Sequence, residues 1–176
     1  MSKTVFLDRD GTIIVDKHYL RNPDDVELIP DAGLSLARLK RAGYQIIVVS
    51  NQSGVGRGFL TEIDVMLVNT RIDDLIFDYG ARIDAYYYCP HNPDDSSTCS
   101  CRKPSDGLYR QALSKFKIDI SKSWMIGDKM SDVNFALKFG ISPILVQTGY
   151  GKEVQVGCDL VCESIKEASL VILNGK

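Results

Sequence analysis

The sequence predicts an α/β fold, a doubly wound Rossmann-like parallel sheet with helices on both faces. Short β-rich runs alternate along the chain with segments of helical spacing, which is typical of strands joined by right-handed helical crossovers. The predicted strands are short and apolar, as in parallel strands that are buried on both sides. With 176 residues, of which 44% are hydrophobic, residues 1–176 are expected to form a single domain with a sizeable core.

Apolar and β-branched runs define the strands. They are Thr4 to Leu7, Gln45 to Val49, Ile83 to Tyr88, Ser123 to Ile126, Ile144 to Val146 and, in the C-terminal tail, Leu160 to Cys162. Because ligands of such sheets bind beyond the carboxyl ends of the strands, the residues that follow each strand are candidates for the site.

Helical spacing predicts five helices between and after these strands. They cover Asp31 to Ala42, Thr61 to about Tyr79, Gly107 to Phe116, Ser131 to Phe139 and Ser164 to Leu173. Gly43 is placed to end the first of them, and Thr61 with Asp64 resembles a capping box at the start of the second. Two longer segments, Ile13 to Pro30 and Cys89 to Ser105, fit neither pattern and are expected to border the active site, since long loops in compact domains are usually functional or disordered.

Charge and composition exclude several classes of function. The formal net charge of -2 argues against nucleic acid or an anionic membrane surface as a partner, because no basic face would attract them. No apolar run is long enough to span a bilayer, and no secretory signal opens the chain, so a cytoplasmic protein is expected. A monomer is expected because no long amphipathic surplus suggests an obligate partner. In a reducing compartment the five cysteines are not expected to form structural disulfides.

Polar residues follow the first two predicted strands. Asp8 and Asp10 come directly after the first strand, where paired carboxylates can hold Mg²⁺ and react with phosphate. An acidic turn after a strand is the alternative, since Asp is an ordinary turn residue. Ser50 and Asn51 end the second strand and offer donors to a phosphoryl group, although a plain strand-to-loop turn has a similar composition.

Two later segments supply complementary charges. Lys103, beside Arg102, could neutralise phosphate, with surface solvation as the alternative. Asp128 follows the fourth strand, whereas Asp132 is interpreted as a residue that stabilises the start of the next helix. If Asp8, Asp10 and Asp128 converge, they repel one another, and a divalent cation with Lys103 would supply the missing positive charge.

Together these motifs resemble those of the haloacid-dehalogenase-like (HAD-like) phosphatases, in the family's order. They are Asp8-x-Asp10-Gly11-Thr12, the Ser50 loop, Lys103 and Gly127-Asp128-x-x-x-Asp132. The resemblance implies that Asp8 attacks phosphorus to form an aspartyl phosphate and that Asp10 is the general acid and base. It also implies Mg²⁺ held by Asp8, the Asp10 carbonyl and Asp128, and a phosphoryl group steadied by Ser50, Asn51 and Lys103.

Three cysteines and a histidine cluster in the second long loop. Cys89, His91, Cys99 and Cys101 form a valid tetrahedral ligand set for a structural Zn²⁺, which would stabilise a loop that has little apolar surface. An accidental cluster of reduced thiols is the alternative. Cys158 and Cys162 are interpreted as ordinary residues of the tail.

This loop resembles that of a capless subgroup of the family, which shapes its pocket without a large cap domain. The subgroup includes phosphatases of D-glycero-D-manno-heptose 1,7-bisphosphate and of histidinol phosphate, and Asn51 to Gly58 is similar to the heptose enzymes. The resemblance implies Mg²⁺-dependent removal of the C7 phosphate of this small-molecule sugar phosphate, in the synthesis of nucleotide-activated heptose for a cell-surface glycan. The implied substrate-binding residues are Asp16, Lys17, His18, Tyr19, Asn51, Gln52, Ser53, Arg57, Arg102 and Lys129.

Three alternatives compete with this hypothesis. Histidinol-phosphate enzymes tend to carry an acidic residue where Ser53 stands here. A phospho-acceptor receiver domain also combines Asp, a hydroxyl residue, Lys and Mg²⁺, but it lacks the paired carboxylates after the first strand. A zinc-dependent nucleic-acid binder is disfavoured because the chain has no basic, aromatic face.

Overall fold

The structure is a computed structural model that describes residues 1–95, 99–153 and 157–175. Its strands are Thr4–Leu7 (β1), Gln45–Asn51 (β2), Ala85–Cys89 (β3), Trp124–Gly127 (β4), Ser142–Val146 (β5) and Val161–Cys162 (β6). They form one six-stranded sheet in the order β3-β2-β1-β4-β5-β6, and all of its pairings are parallel. The predicted doubly wound parallel sheet is therefore confirmed, with strand boundaries within two residues of the predicted ones.

Helices connect these strands. They are Ala32–Arg41 (α1), Ser53–Gly56 (α2), Glu62–Phe77 (α3), Gly107–Lys115 (α4), Met130–Phe139 (α5) and Ile165–Asn174 (α6). All five predicted helices are present, and the short α2 is an addition. The capping box at α3 is confirmed, because the Thr61 side chain accepts from the Asp64 N–H while the Thr61 N–H donates to Asp64 Oδ2 at 2.7 Å.

The sheet separates two apolar clusters because successive residues of a strand face opposite sides. Val5 and Leu7 of β1 lie in the cluster that also contains Leu36 of α1 and Ile72 of α3. Phe6 lies in the other cluster, which the helices α4 and α5 cover. This two-sided burial holds the strand ends in fixed positions, which is what the site requires.

Both long segments begin at the carboxyl ends of strands: the first follows β1 and the second follows β3. Residues 13–30 contain a 3-10 turn at Pro23–Asp25 and a bridge between Ile14 and Leu28. In the second segment, residues 96–98 lie outside the described residues. In the tail, Cys162 is buried in β6 and Cys158 is a free thiol that donates to the Leu160 carbonyl. In the described part of the chain, no helix has both the length and the apolar character needed to cross a bilayer.

Candidate active site

The site lies where β1 and β4 meet in the middle of the sheet. The strand order reverses at this point, and the carboxyl ends of strands at such a switch point form the ligand crevice of doubly wound folds. Asp8 is the first residue after β1 and Asp128 the first after β4, and both side chains are buried. Carboxylate oxygens of Asp8, Asp128 and Asp132 lie within 4.8 Å of one another.

Lys103 is the buried cation that compensates this cluster. Its Nζ lies 3.0 Å from Asp8 Oδ1 and 2.6 Å from Asp132 Oδ1, and it donates to the Val49 carbonyl at 2.6 Å. Burial lowers the pKa of Lys103, but the charges of Asp132 and Asp8 outweigh that effect and raise it. Lys103 therefore stays charged beside Asp8 throughout the physiological pH range.

Asn51 fixes the backbone of Lys103. The Asn51 Oδ1 accepts from the Lys103 N–H at 3.0 Å, and the Asn51 Nδ2 donates to the Lys103 carbonyl at 3.3 Å. A residue at the end of β2 thereby positions a lysine that is 52 residues away in the chain.

Asp132 has two roles. Its Oδ2 accepts from the Lys129 N–H at 3.1 Å in the first turn of α5, which confirms the predicted stabilisation of that helix start. Its other oxygen forms the ion pair with Lys103 described above. The sequence interpretation missed this second role, because the first one is sufficient to explain an aspartate at a helix start.

The charge of Asp128 is only weakly compensated, because the ion pair found for it in the described part of the chain is a long one, 3.9 Å from Oδ1 to Lys129 Nζ. Burial and the neighbouring Asp8 charge raise the pKa of Asp128 to about 7. Its Oδ2 accepts from the Tyr150 N–H at 2.9 Å, while Oδ1 is buried with no hydrogen-bond partner among the described residues. By contrast, although burial raises the pKa of Asp8, the charges of Lys103 and Lys129 hold it below its usual value. An orphaned buried carboxylate oxygen beside an ionised Asp8 fits a divalent cation, for which oxygens are the preferred ligands.

Two glycines make room for the Asp128 carboxylate. A Cβ at Gly11 or at Gly149 would collide with Asp128 Oδ2. Both residues also have positive φ angles, +79° and +58°, which side chains disfavour. Glycine is therefore required at both positions if Asp128 is to reach the crevice.

Asp10 is held by side chains rather than by regular structure. Arg9 Nε donates to Asp10 Oδ2 at 3.0 Å and Arg9 Nη2 to Asp10 Oδ1 at 3.2 Å. Gln52 Nε2 donates both to Asp10 Oδ2 at 2.8 Å and to Ser50 Oγ at 2.7 Å. The Asp10 carboxylate is thus held in a defined orientation, and it lines the same cavity as Asp8.

A cavity of about 460 Å³ opens above these groups. The predicted site residues that line it are Asp8, Asp10, Asp16, His18, Tyr19, Ser50, Asn51, Gln52, Ser53, Arg102, Lys103 and Lys129. Lys17 is absent from this lining and instead contacts the Asp25 carbonyl and Glu27. Arg57 is also absent from it and forms a 2.6 Å ion pair with Asp94.

The mouth of the cavity contains a strained backbone turn. His18 and Tyr19 have φ angles of 46° and 41°, a conformation that costs non-glycine residues about 1–3 kcal/mol and that clusters at ligand sites. Tyr150 lies opposite, with its hydroxyl 3.4 Å from His18 Nδ1 and its ring under Lys129 Nζ at 4.6 Å. Sequence reasoning missed Tyr150; its position just after β5, next to β4 in the sheet, was the available signal.

The four predicted zinc ligands come together at the end of β3. Cys89 Sγ lies 3.5 Å from His91 Nδ1 and 3.6 Å from Cys99 Sγ, and His91 Nδ1 lies 3.1 Å from Cys101 Sγ. A tetrahedral ion with sulfur ligands at about 2.3 Å separates those sulfurs by about 3.8 Å. The four side chains therefore fit a zinc-sized ion with every coordination position filled by protein.

This cluster is joined to the end of β2, which carries Ser50 and Asn51. Asn51 and Cys89 are register partners in the β2–β3 ladder, and the Gln52 N–H donates to the Cys89 carbonyl at 2.8 Å. The Gly56 N–H donates to the Pro90 carbonyl at 2.7 Å, and a Cβ at Gly56 would collide with this loop. Whatever fixes the thiol cluster also fixes the segment that follows Ser50.

Known proteins are similar to this chain in sequence and in structure. A family model described as HAD-hydrolase-like matches residues 100–168. The D-glycero-beta-D-manno-heptose-1,7-bisphosphate 7-phosphatase of Haemophilus ducreyi is 38% identical over 97% of this chain and 92% of its own length. The chain belongs to the HAD-like phosphatase family.

Other members of the HAD-like phosphatase family match it equally broadly. The enzyme of the same name from Yersinia pestis is 37% identical over 93% of this chain and 91% of its own length. A crystal structure of the D,D-heptose 1,7-bisphosphate phosphatase from B. bronchiseptica, complexed with magnesium and phosphate, superimposes with a TM-score of 0.89 at 30% identity, covering 99% of both chains. The family resemblance inferred from the motifs is therefore confirmed.

Proposed function

We propose that this chain is a Mg²⁺-dependent phosphatase that removes the C7 phosphate of D-glycero-D-manno-heptose 1,7-bisphosphate. The observation that carries the proposal is the convergence of Asp8, Asp10 and Lys103 on one crevice at the switch point of the sheet, with a buried Asp128 oxygen within 4.8 Å of an Asp8 oxygen. Relatives matched over nearly the whole chain carry that enzyme's name, which supports the choice of substrate.

In the first half of the reaction Asp8 is the nucleophile. Its Oδ1 accepts from Lys103 Nζ and from the Arg9 N–H at 2.9 Å, so Oδ2 is the oxygen left for attack on phosphorus. The bond from phosphorus to the C7 oxygen breaks as the bond to Asp8 forms. Asp10 gives its proton to the departing sugar oxygen, which leaves as an alcohol.

In the second half Asp10 reverses its role. The Asp10 carboxylate takes a proton from a water molecule that attacks phosphorus in line with the Asp8–phosphate bond. That bond breaks, inorganic phosphate leaves, and Asp8 regains its carboxylate while Asp10 is again protonated. Lys103 and the polar side chains at the end of β2 stabilise the negative charge of the transferring group in both halves.

The donor set of the crevice fits Mg²⁺, and we assign Asp8, the Asp10 carbonyl and Asp128 as its ligands. The raised pKa of Asp128, about 7, and its orphaned Oδ1 support this assignment. When bound, the ion supplies Lewis-acid stabilisation of the phosphoryl oxygens. For the second cluster we propose Zn²⁺ on Cys89, His91, Cys99 and Cys101, in a structural role.

Arg102 is the group that favours a substrate with a second anion. It lines the cavity, and its Nη1 is buried with no hydrogen-bond partner among the described residues. A guanidinium in this state suits a phosphate, to which it can donate two parallel hydrogen bonds. Ser53 in the same wall carries no negative charge, so the cavity lacks at that position the carboxylate that an ammonium substrate would call for.

Compartment and assembly are part of the same proposal. A zinc site of this type requires reduced thiols, and the five cysteines are free in the structure. We therefore place the enzyme in the cytoplasm. We propose a monomer, which light scattering of the purified protein tests directly.

A substrate panel tests the proposal. Steady-state kinetics are measured on both anomers of the heptose bisphosphate, on heptose 7-phosphate and on histidinol phosphate, each with Mg²⁺ and with chelator. We expect kcat/KM to be highest on one bisphosphate anomer and to require Mg²⁺. A higher kcat/KM on histidinol phosphate, or turnover that persists in chelator, would contradict the proposal.

A pair of arginine variants tests the second-anion argument. Arg102→Met should raise KM for the bisphosphate by about tenfold or more, because a charge-assisted hydrogen bond contributes roughly 1.5–3 kcal/mol. The exposed Arg110, which pairs with Asp106 on α4, provides the matched control Arg110→Met and should leave KM unchanged. Equal effects of the two substitutions would contradict the role of Arg102.

A further inference from the structure

Arg9 is a buried charge that the proposed reaction does not use. Its side chain is 2% exposed, the largest of the fully buried side chains. It lies between the two carboxylates of the Asp8-Arg9-Asp10 segment: its backbone N–H donates to Asp8 Oδ1, and its guanidinium holds both oxygens of Asp10. Burying an arginine is costly unless its donors are satisfied, so its contacts indicate what it does.

Four of the five N–H groups of the Arg9 guanidinium donate to protein oxygens. Nε and Nη2 donate to the two carboxylate oxygens of Asp10. Nη2 also donates to Gln52 Oε1 at 2.9 Å, and Nη1 donates to Asn69 Oδ1 at 3.1 Å. Each of its three nitrogens therefore has a protein acceptor. Arg102, the other arginine in the cavity wall, differs because its Nη1 has none among the described residues. Arg102 is suited to bind a substrate anion, whereas Arg9 is suited to hold a side chain.

Two residues from other parts of the chain, Gln52 and Asn69, hold the Arg9 guanidinium in place. Gln52, just after β2, donates to Asp10 Oδ2 and accepts from Arg9, so it links Arg9 to Asp10 a second time. Asn69 belongs to α3, a 16-residue helix that begins at its own capping box. A planar fork on a carboxylate fixes both the position and the plane of that carboxylate.

We propose that Arg9, anchored by Asn69, is the positioning residue that orients the Asp10 carboxyl for proton transfer to the leaving oxygen. The proposal rests on the proposed function only in taking Asp10 as the acid. Asp10 is 17% exposed and lines the cavity, so water could solvate it without Arg9. The two hydrogen bonds from the Arg9 guanidinium are therefore not needed to stabilise the Asp10 carboxylate against burial. Their consequence is that they fix the orientation of this carboxylate.

The dependence of the reaction rate on the basicity of the leaving group distinguishes a positioning role of Arg9 from a purely structural one. Protonation of the departing oxygen accelerates the reaction most when that oxygen is strongly basic, and little when it leaves readily as an anion. Phenyl phosphate and p-nitrophenyl phosphate share the phenyl phosphate unit and differ in a para nitro group, which makes the leaving oxygen far less basic. Their kcat/KM values report only the steps up to transfer of the phosphoryl group to Asp8, so hydrolysis of the intermediate does not enter the comparison.

The experiment measures kcat/KM on both aryl phosphates for Asn69→Ala, Arg9→Lys and the control Thr70→Ala. Asn69→Ala should lower kcat/KM about tenfold on phenyl phosphate and less than about twofold on p-nitrophenyl phosphate. Arg9→Lys keeps the charge but loses the fork, and its loss on phenyl phosphate should reach about a hundredfold. Thr70 is exposed on α3 next to Asn69, and its substitution should change neither value.

Losses of equal size on the two substrates, or no loss on either, would overturn the proposal. Thermal midpoints and circular dichroism identify a variant that fails to fold. If Arg9→Lys does so, Asn69→Ala carries the test, because Asn69 is only half-buried. Neither aryl phosphate contains a sugar. If the wild-type protein did not hydrolyse heptose bisphosphate, the proposed substrate would be refuted. The ratio of kcat/KM values on the two aryl phosphates would still test the role of Arg9.

Discussion

The two clusters of potential metal ligands in this chain are held by different means. The carboxylates Asp8, Asp128 and Asp132 are buried at the centre of the sheet, directly after two strands and in the first turn of a helix. In the thiol cluster only Cys89 is buried, and the other ligands lie in an irregular loop beyond the edge strand β3. Packing, hydrogen bonds and the ion pairs of Lys103 position the first cluster. The second has little apolar surface nearby, and we propose that an ion holds it together. Loss of a metal should therefore stop chemistry at the first cluster and loosen structure at the second.

The largest effect is expected from substitution of the nucleophile, which should remove activity without unfolding the protein. Asp8→Asn should lower kcat at least about a thousandfold, because no other described carboxylate occupies its place after β1. The thermal midpoint should change little, since Lys103 retains its ion pair with Asp132 at 2.6 Å. Steady-state assays and thermal melts with the exposed control Asp74→Asn measure both effects. A variant that keeps a tenth of wild-type activity would contradict the assignment of Asp8.

The opposite pattern is expected at the thiol cluster. Cys99→Ser should abolish bound zinc, speed hydrogen exchange in residues 99–107 and lower kcat/KM by about 10–100-fold, with the sheet still folded. The activity falls because the loop leads directly to Arg102 and Lys103.

Cys158→Ser is the matched control, since Cys158 is a free thiol outside the cluster. Metal analysis, exchange mass spectrometry and far-UV dichroism provide the readouts. Equal zinc content in the two variants would refute the zinc site, and a loss of the whole fold in Cys99→Ser would refute the contrast between the two clusters.

Protons compete with Mg²⁺ at the carboxylate cluster. Burial and the Asp8 charge raise the pKa of Asp128 from 3.8 to about 7, so below pH 7 the metal-free protein carries a proton there that the ion must displace. The apparent Mg²⁺ affinity should thus weaken as pH falls below about 7, by up to about tenfold per pH unit, and level off above it. Calorimetry in buffers of different ionisation enthalpy measures the released proton. Proton release that is absent at pH 6, or that persists in Asp128→Asn, would contradict this linkage.

The same contrast explains what sequence reasoning could predict. The strands and the residues that follow them, among them Asp8 and Asp128, were predictable because apolar runs and parallel-sheet topology determine both. The four thiol-cluster ligands were predictable from residue type and spacing. The helix α2, Ser53–Gly56, was missed because four residues with two glycines show no helical periodicity.

The hydrogen-bond and ion-pair partners of the long polar side chains could not be predicted from the sequence. Gln52 was predicted to contact substrate, and the structure adds that its side chain bonds Arg9, which lies 43 residues away. Arg57 was predicted to bind substrate, a role that stays a prediction, while the structure pairs it with Asp94. Nothing local in the sequence specifies the partner that a long polar side chain selects among several within reach.

The smallest effect is expected from a single methyl group at the carboxylate cluster. Gly149→Ala and Gly80→Ala both place a side chain at a positive φ, +58° and +74°. The free energy of unfolding should fall by about 1–2 kcal/mol in Gly80→Ala and by more in Gly149→Ala, whose Cβ also meets the Gly11 Cα at 2.8 Å. A Cβ at Gly80 meets nothing within 4 Å, whereas one at Gly149 collides with Asp128 Oδ2. Gly149→Ala should therefore also weaken Mg²⁺ binding, by about tenfold, because Asp128 must move away from the crevice. Denaturant unfolding and Mg²⁺ titration of both variants separate backbone strain from displacement of the carboxylate. Equal Mg²⁺ affinities in the two variants would mean that Asp128 does not need the space that Gly149 leaves.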